Sequence, residues 1–171
     1  MTIKQSHWPW IVLLLIAASV RLIALGHAPL GPDEAIQAVA ALDVPRGGAW
    51  PAEVDSPLLL VGNGLLFALF NATPAVARLL PALAGLALAA IPWLWRREIG
   101  ALGAWTAAAL LTFSPLALFA ARRVESTSLG VLGASLLLAA FFLSEEERRP
   151  WQRPLLIASG VALGVIGGPA F

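Results

Sequence analysis

Long apolar runs alternate with short polar intervals along most of this chain. A run of about 20 apolar residues is long enough to cross the hydrocarbon core of a bilayer as one α-helix. The pattern therefore predicts an all-α, polytopic transmembrane helix bundle with about five spans. The predicted spans cover residues 8–25, 75–95, 99–121, 127–143 and 154–171. Because the last run stops within an apolar stretch, we expect residues 1–171 to form a single membrane module that is incomplete at its C-terminus.

One long interval, residues 26–74, interrupts this pattern, and we expect it to be an exoplasmic loop with two juxtamembrane helices. A turn signal at Gly31-Pro32 predicts a surface helix over residues 33–42. The apolar segment 57–70 has 14 residues. At 1.5 Å per residue it spans roughly 21 Å, which is shorter than a core of about 30 Å. We therefore expect this segment not to cross; if it does cross, every later loop changes side.

Composition supports a membrane protein and excludes several kinds of site. Hydrophobic residues make up 59% of the chain and charged residues 12%, with a mean hydropathy of +0.83. Soluble domains carry about 25% charged residues. The chain has no cysteine, which excludes disulfides and thiolate chemistry. A net charge of +1 gives no indication of a nucleic-acid partner, and none is expected.

The distribution of basic residues predicts the orientation of the chain. With segment 57–70 not crossing, one side carries six basic residues and the other carries four. The first set is Lys4, Arg96, Arg97, Arg148, Arg149 and Arg153, and the second is Arg46, Arg78, Arg122 and Arg123. The larger set is expected in the cytosol, so the N-terminus is cytosolic and the acidic loop faces outward.

Three local features carry further expectations. Ser114-Pro115 predicts a bend within the span over residues 99–121. Gly160 and Gly164 predict close packing of the last helix against a neighbour. Arg21 lies inside the first apolar run, where we expect it to pair with an acid of the loop.

The outward face gathers the residues that could carry chemistry. Asp33 and Glu34 are adjacent carboxylates beside the first span, and Glu125 follows Arg122 and Arg123 in a later loop of the same side. Arginine binds phosphate oxygens in a bidentate manner, and a carboxylate deprotonates a hydroxyl or holds a divalent cation. Two structural alternatives use the same residues. Acids are favoured at a helix N-terminus, and arginines form ion pairs between loops or extend toward the interface.

The order of these elements resembles the start of GT-C fold glycosyltransferases, in the branch of the protein O-mannosyltransferases and aminoarabinose transferases. Asp33-Glu34 matches the D-E pair in the first exoplasmic loop of that family. Segment 78–85 matches its R-L-P-S-A-L-A-G element with one extra residue before the proline, and Arg122 or Arg123 with Glu125 matches R-x-x-(D/E). Asp55 replaces the His or Lys that comes before the family's P-P-L, and the T-K-G-P lysine is missing at residues 166–169.

This resemblance implies an enzyme that transfers a sugar, mannosyltransferase-like, from a polyprenyl-phosphate donor to an exoplasmic acceptor. It implies catalysis by Asp33 and Glu34, binding of lipid phosphate by Arg78, Arg122 and Arg123, and a divalent metal held by Glu34 and Glu125. The expected partners are membrane lipid and the sugar donor, in a bacterial plasma membrane. The alternative is a non-catalytic scaffold that kept the fold and binds partner membrane subunits, and the two departures from the family motifs favour it.

Overall fold

The computed structural model describes residues 8–48, 56–142 and 151–168, and these residues form helices and connecting turns, which confirms the all-α part of the predicted fold class. Lys4, Asp55, Arg148, Arg149 and Pro169, all used above, lie outside the described residues. The helices are α1 (Trp8–Leu22), α2 (Pro32–Asp43), α3 (Pro57–Phe70), α4 (Pro74–Ala77), α5 (Leu79–Ala90), α6 (Pro92–Trp95), α7 (Gly100–Phe113), α8 (Pro115–Ala121), α9 (Thr127–Phe142) and α10 (Gln152–Gly167), and a 3₁₀ turn (Val44–Arg46) follows α2.

Proline at the first helical position opens five of these helices, namely α2, α3, α4, α6 and α8. The fixed φ of proline suits the first helical position, where the missing N–H costs nothing. In three cases a hydroxyl directly before the proline caps the helix. The oxygens of Ser56, Thr73 and Ser114 accept from the N–H three residues later at 3.2, 3.3 and 3.4 Å. Local signals of this kind explain why α2 and α3 lie where the sequence predicted them.

The central helix is α5, which packs against α1, α3, α7, α8 and α9. Leu88 and Ile91 at its C-terminal end join buried Leu59 of α3 and Leu129 and Leu132 of α9 in one apolar cluster. The helix α2 lies on α3 through Ala38, Ala41, Leu60 and Phe67. These contacts hold α2, and the acids at its start, against the core of the bundle.

Two sequence expectations about helix geometry are met. Helices α7 and α8 meet at Ser114-Pro115 with a bend of 59°. Helices α9 and α10 pack closely through glycines: a Cβ on Gly133 or on Gly160 would lie 2.9 Å from the other residue's backbone oxygen. Within the described ranges, each helix taken singly falls short of the length and hydropathy needed to cross a bilayer, and the bent pair α7–α8 meets that requirement jointly.

Candidate active site

Glu34 and Arg78 form a buried ion pair, with side chains only 4% and 7% exposed. The Nε of Arg78 donates to Glu34 Oε1 at 2.9 Å, and its Nη2 donates to Oε2 at 2.7 Å. The remaining three N–H groups of Arg78 donate to the carbonyls of Leu25, Ala28 and Pro29 at 2.9 to 3.0 Å. All five donors of this guanidinium are therefore taken by protein acceptors.

Glu34 is saturated in the same way. Besides Arg78, the N–H of Gly31 donates to Oε2 at 2.9 Å and the N–H of Val124 donates to Oε1 at 3.0 Å. A carboxylate offers about four acceptor positions, so these four bonds use them all. Burial by itself raises the pKa of Glu34, but the hydrogen bonds from Arg78, Gly31 and Val124 outweigh it and lower the pKa to about 2.

We call this arrangement the Glu34–Arg78 clasp. It ties together four parts of the chain: the connection after α1 from Leu25 to Pro29, the start of α2, the start of α5 and the loop after α8. As it stands, the clasp leaves no donor on Arg78 for a lipid phosphate and no lone pair on Glu34 for a cation. The phosphate role of Arg78 and the catalytic and metal roles of Glu34 stay predictions, and each requires a protein partner to be displaced.

Asp33 precedes Glu34 in the sequence and has the opposite environment. Successive residues of a helix point about 100° apart, so burial of Glu34 turns Asp33 outward. The side chain of Asp33 is 88% exposed, and its Oδ2 lies 4.0 Å from Nη2 of Arg123. This carboxylate is available to an incoming group.

The two neighbouring arginines after α8 also differ. Arg123 pairs with Glu125, Nη1 to Oε1 at 3.1 Å, and its guanidinium lies 5.1 Å from the ring centre of Phe119. Arg122 turns the other way and donates to the carbonyls of Val20, Ile23 and Ala24 at the end of α1, at 3.1 to 3.2 Å. The structure therefore places Arg123, and not Arg122, beside Asp33 and Glu125.

Asp33 and Glu125 line one open cavity of about 440 Å³ between α2, the start of α3 and the loop before α9. Its wall combines charged, polar and apolar side chains: Asp33, Ile36, Gln37, Ser56, Leu59, Val124, Glu125, Ser126 and Thr127. A small-molecule site has this mixture of apolar wall and a few polar groups. The polar residues that the sequence reading missed are Gln37, Ser56, Ser126 and Thr127. Three of them could have been found from their positions in the sequence, because Ser126-Thr127 directly follows Glu125 and Ser56 directly precedes Pro57.

Two further expectations concern cations. In the described part of the chain, no group of three or more His, Asp or Glu side chains is placed to hold a metal ion.

Arg21 does not pair with a described acid. Its Nη2 donates to the carbonyl of Leu111 at 2.7 Å and its Nη1 to that of Ala17 at 3.3 Å, so a backbone partner corrects that expectation.

Comparison of the chain with protein-family models, with curated proteins and with solved structures finds no match in any of the three.

Proposed function

We propose that this chain is the membrane module of a GT-C-type glycosyltransferase, which moves a sugar from a polyprenyl-phosphate donor to an exoplasmic acceptor. One observation carries the proposal: the exposed carboxylate of Asp33 lines a cavity together with Glu125 and lies beside Arg123, while the adjacent Glu34 is held in a buried clasp. The module is proposed to be a polytopic bundle of about five spans, with α2 and α3 at the outer surface and the N-terminus in the cytosol of a bacterium.

The surface of the helices supports a lipid environment. Large apolar side chains are exposed on every long helix, and the most exposed include Leu102 of α7 at 82% and Phe141 of α9 at 77%. Soluble monomers rarely expose extended apolar surface of this kind. The charged residues of the clasp and of the cavity, in contrast, gather at one end of the bundle. That division is expected of a protein whose helices face lipid and whose site faces water.

The chemistry assigns a separate task to each charged group at the cavity. Asp33 accepts the proton of an acceptor hydroxyl, whose oxygen bonds to the anomeric carbon of the donor sugar. The bond from that carbon to the phosphate oxygen breaks, and polyprenyl phosphate leaves with the bonding electrons. Arg123 binds the departing phosphate through its guanidinium. A divalent cation held by Glu125 would neutralise the same charge.

The saturation of Glu34 and Arg78 favours a second candidate. Both residues belong to elements that resemble the family, and both are used by the fold itself. A scaffold subunit that keeps the fold and binds partner membrane subunits needs the clasp but not the open carboxylate of Asp33.

Right-side-out membrane vesicles containing the chain, supplied with labelled polyprenyl-phosphate mannose, distinguish the two candidates. The enzyme predicts transfer of label that Asp33→Asn lowers about 100- to 10,000-fold, the usual contribution of a positioned acid or base. The matched control is Asp43→Asn, an exposed acid at the other end of α2, and it should transfer at the wild-type rate. Equal transfer by wild type and Asp33→Asn overturns the catalytic assignment, and no transfer by wild type favours the scaffold.

A further inference from the structure

We propose that Arg21 is a positioning residue, which acts with Arg122 as a reciprocal brace between α1 and the bent pair α7–α8. Arg21 donates to a carbonyl that Pro115 leaves without an amide donor, and Arg122 donates to carbonyls at and just after the end of α1. The brace fixes the direction of α8 and so the place of Arg123 and Glu125 at the cavity. The contribution of the brace to sugar transfer rests on the proposed function. The brace itself consists of hydrogen bonds between α1 and the pair α7–α8 and does not depend on that function.

Arg21 is an almost fully buried cation, 1% exposed, in the apolar helix α1. Within the described residues it has no carboxylate at ion-pair distance, and its Nε has no hydrogen-bond partner. A charge buried in this way is costly unless its hydrogen bonds replace water. The short bond to the carbonyl of Leu111, at 2.7 Å, is therefore the main interaction that a neutral side chain at this position would lose.

The carbonyl of Leu111 needs an external donor because of Pro115. In a continuous α-helix this carbonyl would accept from the N–H four residues later, but that residue is Pro115, which has none. The residue before the proline, Ser114, has left the helical region with ψ of 121°. Arg21 supplies the missing donor at the bend of 59°. A bend in a membrane helix is tolerated where a neighbouring group satisfies the freed backbone.

Arg122 completes the brace in the opposite direction. The last carbonyls of a helix have no intrahelical donor, and a cation near them is favourable. Arg122, which directly follows α8, donates to the carbonyl of Val20 in the last turn of α1 and to those of Ile23 and Ala24 just after it. The carbonyl of Ala24 also accepts from the N–H of His27. Thus α1 provides the donor for the break before α8, and the end of α8 provides the donors for the end of α1.

The close approach of three helices at this joint depends on Gly85 of α5. A Cβ at Gly85 would lie 2.5 Å from the Cβ of Ala121 and 3.2 Å from Nε of Arg21. The absence of a side chain lets α5 pack directly against α8 and the guanidinium of Arg21. Gly85 is the last residue of the segment that resembles the family's R-L-P-S-A-L-A-G element. A side chain at this position would collide with Ala121 of α8 and with Arg21, which explains why a glycine fits here.

The brace matters to the cavity because α8 leads directly into it. Residues 122–126 connect α8 to α9 and include Arg123 and Glu125. The clasp holds this loop from the α2 side through the N–H of Val124. The brace holds its other end through Arg122. Loss of the brace leaves the loop held by the N–H of Val124 and by the exposed 4.0 Å contact of Arg123 with Asp33, which is weak, so Glu125 and Arg123 should move relative to Asp33.

Cross-linking across the cavity tests this directly, since the chain has no native cysteine. Ile36→Cys with Ser126→Cys places one thiol on α2 and one on the loop, both at the cavity wall. In detergent, a short bismaleimide should link this pair efficiently with Arg21 present. Adding Arg21→Met should lower the yield about fivefold or more, the population change expected from losing one hydrogen bond to a charged group. Arg21→Lys, which keeps a donor, should restore most of the yield.

Two further variants keep the result interpretable. Arg21→Met should lower the unfolding temperature, because the carbonyl of Leu111 loses its donor. Pro115→Ala gives that carbonyl an amide donor of its own, so the double variant Arg21→Met with Pro115→Ala should regain the wild-type unfolding temperature. It should not recover the cross-link, because α7 and α8 then straighten. If Arg21→Met fails to fold, Arg122→Met at the more exposed end of the brace replaces it and should lower the yield in the same way.

A wild-type cross-link yield in a folded Arg21→Met or Arg122→Met chain overturns the brace. The assay needs no donor and no turnover, so a failure of the transfer experiment leaves its result intact. Conversely, transfer by the wild type together with an unchanged cross-link in the Arg21 variant would reject the brace alone.

Discussion

Two adjacent carboxylates on one helix turn have opposite environments. Glu34 is buried, accepts four hydrogen bonds and has its pKa lowered to about 2. Asp33 is exposed at the edge of a cavity, with Nη2 of Arg123 4.0 Å from its Oδ2. The sequence shows them as a single acidic pair, and the structure separates a group that holds the fold from a group that is free to react. The two carboxylates differ less in charge than in whether their lone pairs already accept hydrogen bonds from the protein.

The arginines repeat the same division. Arg78 gives all five of its N–H groups to the protein. Arg123, whose side chain is 31% exposed, pairs with one half-exposed carboxylate and lies near a phenylalanine ring. A lipid phosphate that binds Arg78 must displace protein partners from a buried group. One that binds Arg123 replaces only an ion pair of the kind that contributes about 0 to 1 kcal/mol to stability.

The largest expected effect comes from breaking the clasp. Glu34→Ala leaves the buried guanidinium of Arg78 without its counter-charge, and removal of one partner of a buried pair costs about 3–5 kcal/mol. The free energy of unfolding in detergent, measured by chemical denaturation, should fall by that amount. Arg123→Ala is the control at the exposed pair and should change it by less than about 1 kcal/mol. Equal losses for the two variants would remove the distinction between the regions.

Acid should weaken the clasp in a defined pH window. The pKa of Glu34 is lower in the folded protein than its ordinary value of 4.5. Its contribution to stability is therefore complete above about pH 4.5 and is lost as the pH falls toward about 2. The unfolding free energy of the wild type should decline across this window more steeply than that of Glu34→Gln. The control Asp43→Asn should follow the wild type, and parallel curves for wild type and Glu34→Gln would contradict the lowered pKa.

A moderate effect is expected on donor binding when Arg123 is changed. Loss of a charged hydrogen bond to the donor phosphate is worth about 1.5–3 kcal/mol, so Arg123→Gln should raise the KM for the donor by about 10- to 100-fold. Because the ground state and the transition state both carry that phosphate, kcat should change less. A lowered kcat at constant KM would assign Arg123 to the transition state alone.

The smallest effect is expected for Glu125 as a structural residue. Its ion pair with Arg123 is half-exposed, so Glu125→Gln should alter the unfolding free energy by less than about 1 kcal/mol. If Glu125 holds a divalent cation, the same variant should raise the metal concentration needed for half-maximal transfer. An unchanged metal dependence would leave Glu125 as the partner of Arg123 only.

Features with local signals were predictable from the sequence, and those that depend on docking were not. Pro32, Pro57 and Pro115, with the hydroxyls before the last two, mark helix starts within a few residues of chain. The clasp joins residues 44 positions apart, and its geometry depends on α2 docking against α3. Which acid of a pair turns inward also depends on that docking.

Arg21 shows a signal that was present and was not used. We expected an acidic partner because charge is visible in a sequence, whereas a backbone carbonyl is not. A proline inside an apolar run nevertheless identifies an unpaired carbonyl four residues before it. Leu111 could have been located in this way, and Arg21 was a donor within an apolar run that was available to it.

The most direct test measures stability and sugar transfer together for the two neighbouring acids. Asp33→Asn and Glu34→Gln remove the same charge one residue apart, so each serves as the control for the other. The account predicts that Asp33→Asn keeps the wild-type free energy of unfolding and loses transfer from labelled polyprenyl-phosphate mannose, and that Glu34→Gln loses stability first. An Asp33→Asn chain that transfers at the wild-type rate, or that unfolds as readily as Glu34→Gln, would contradict it.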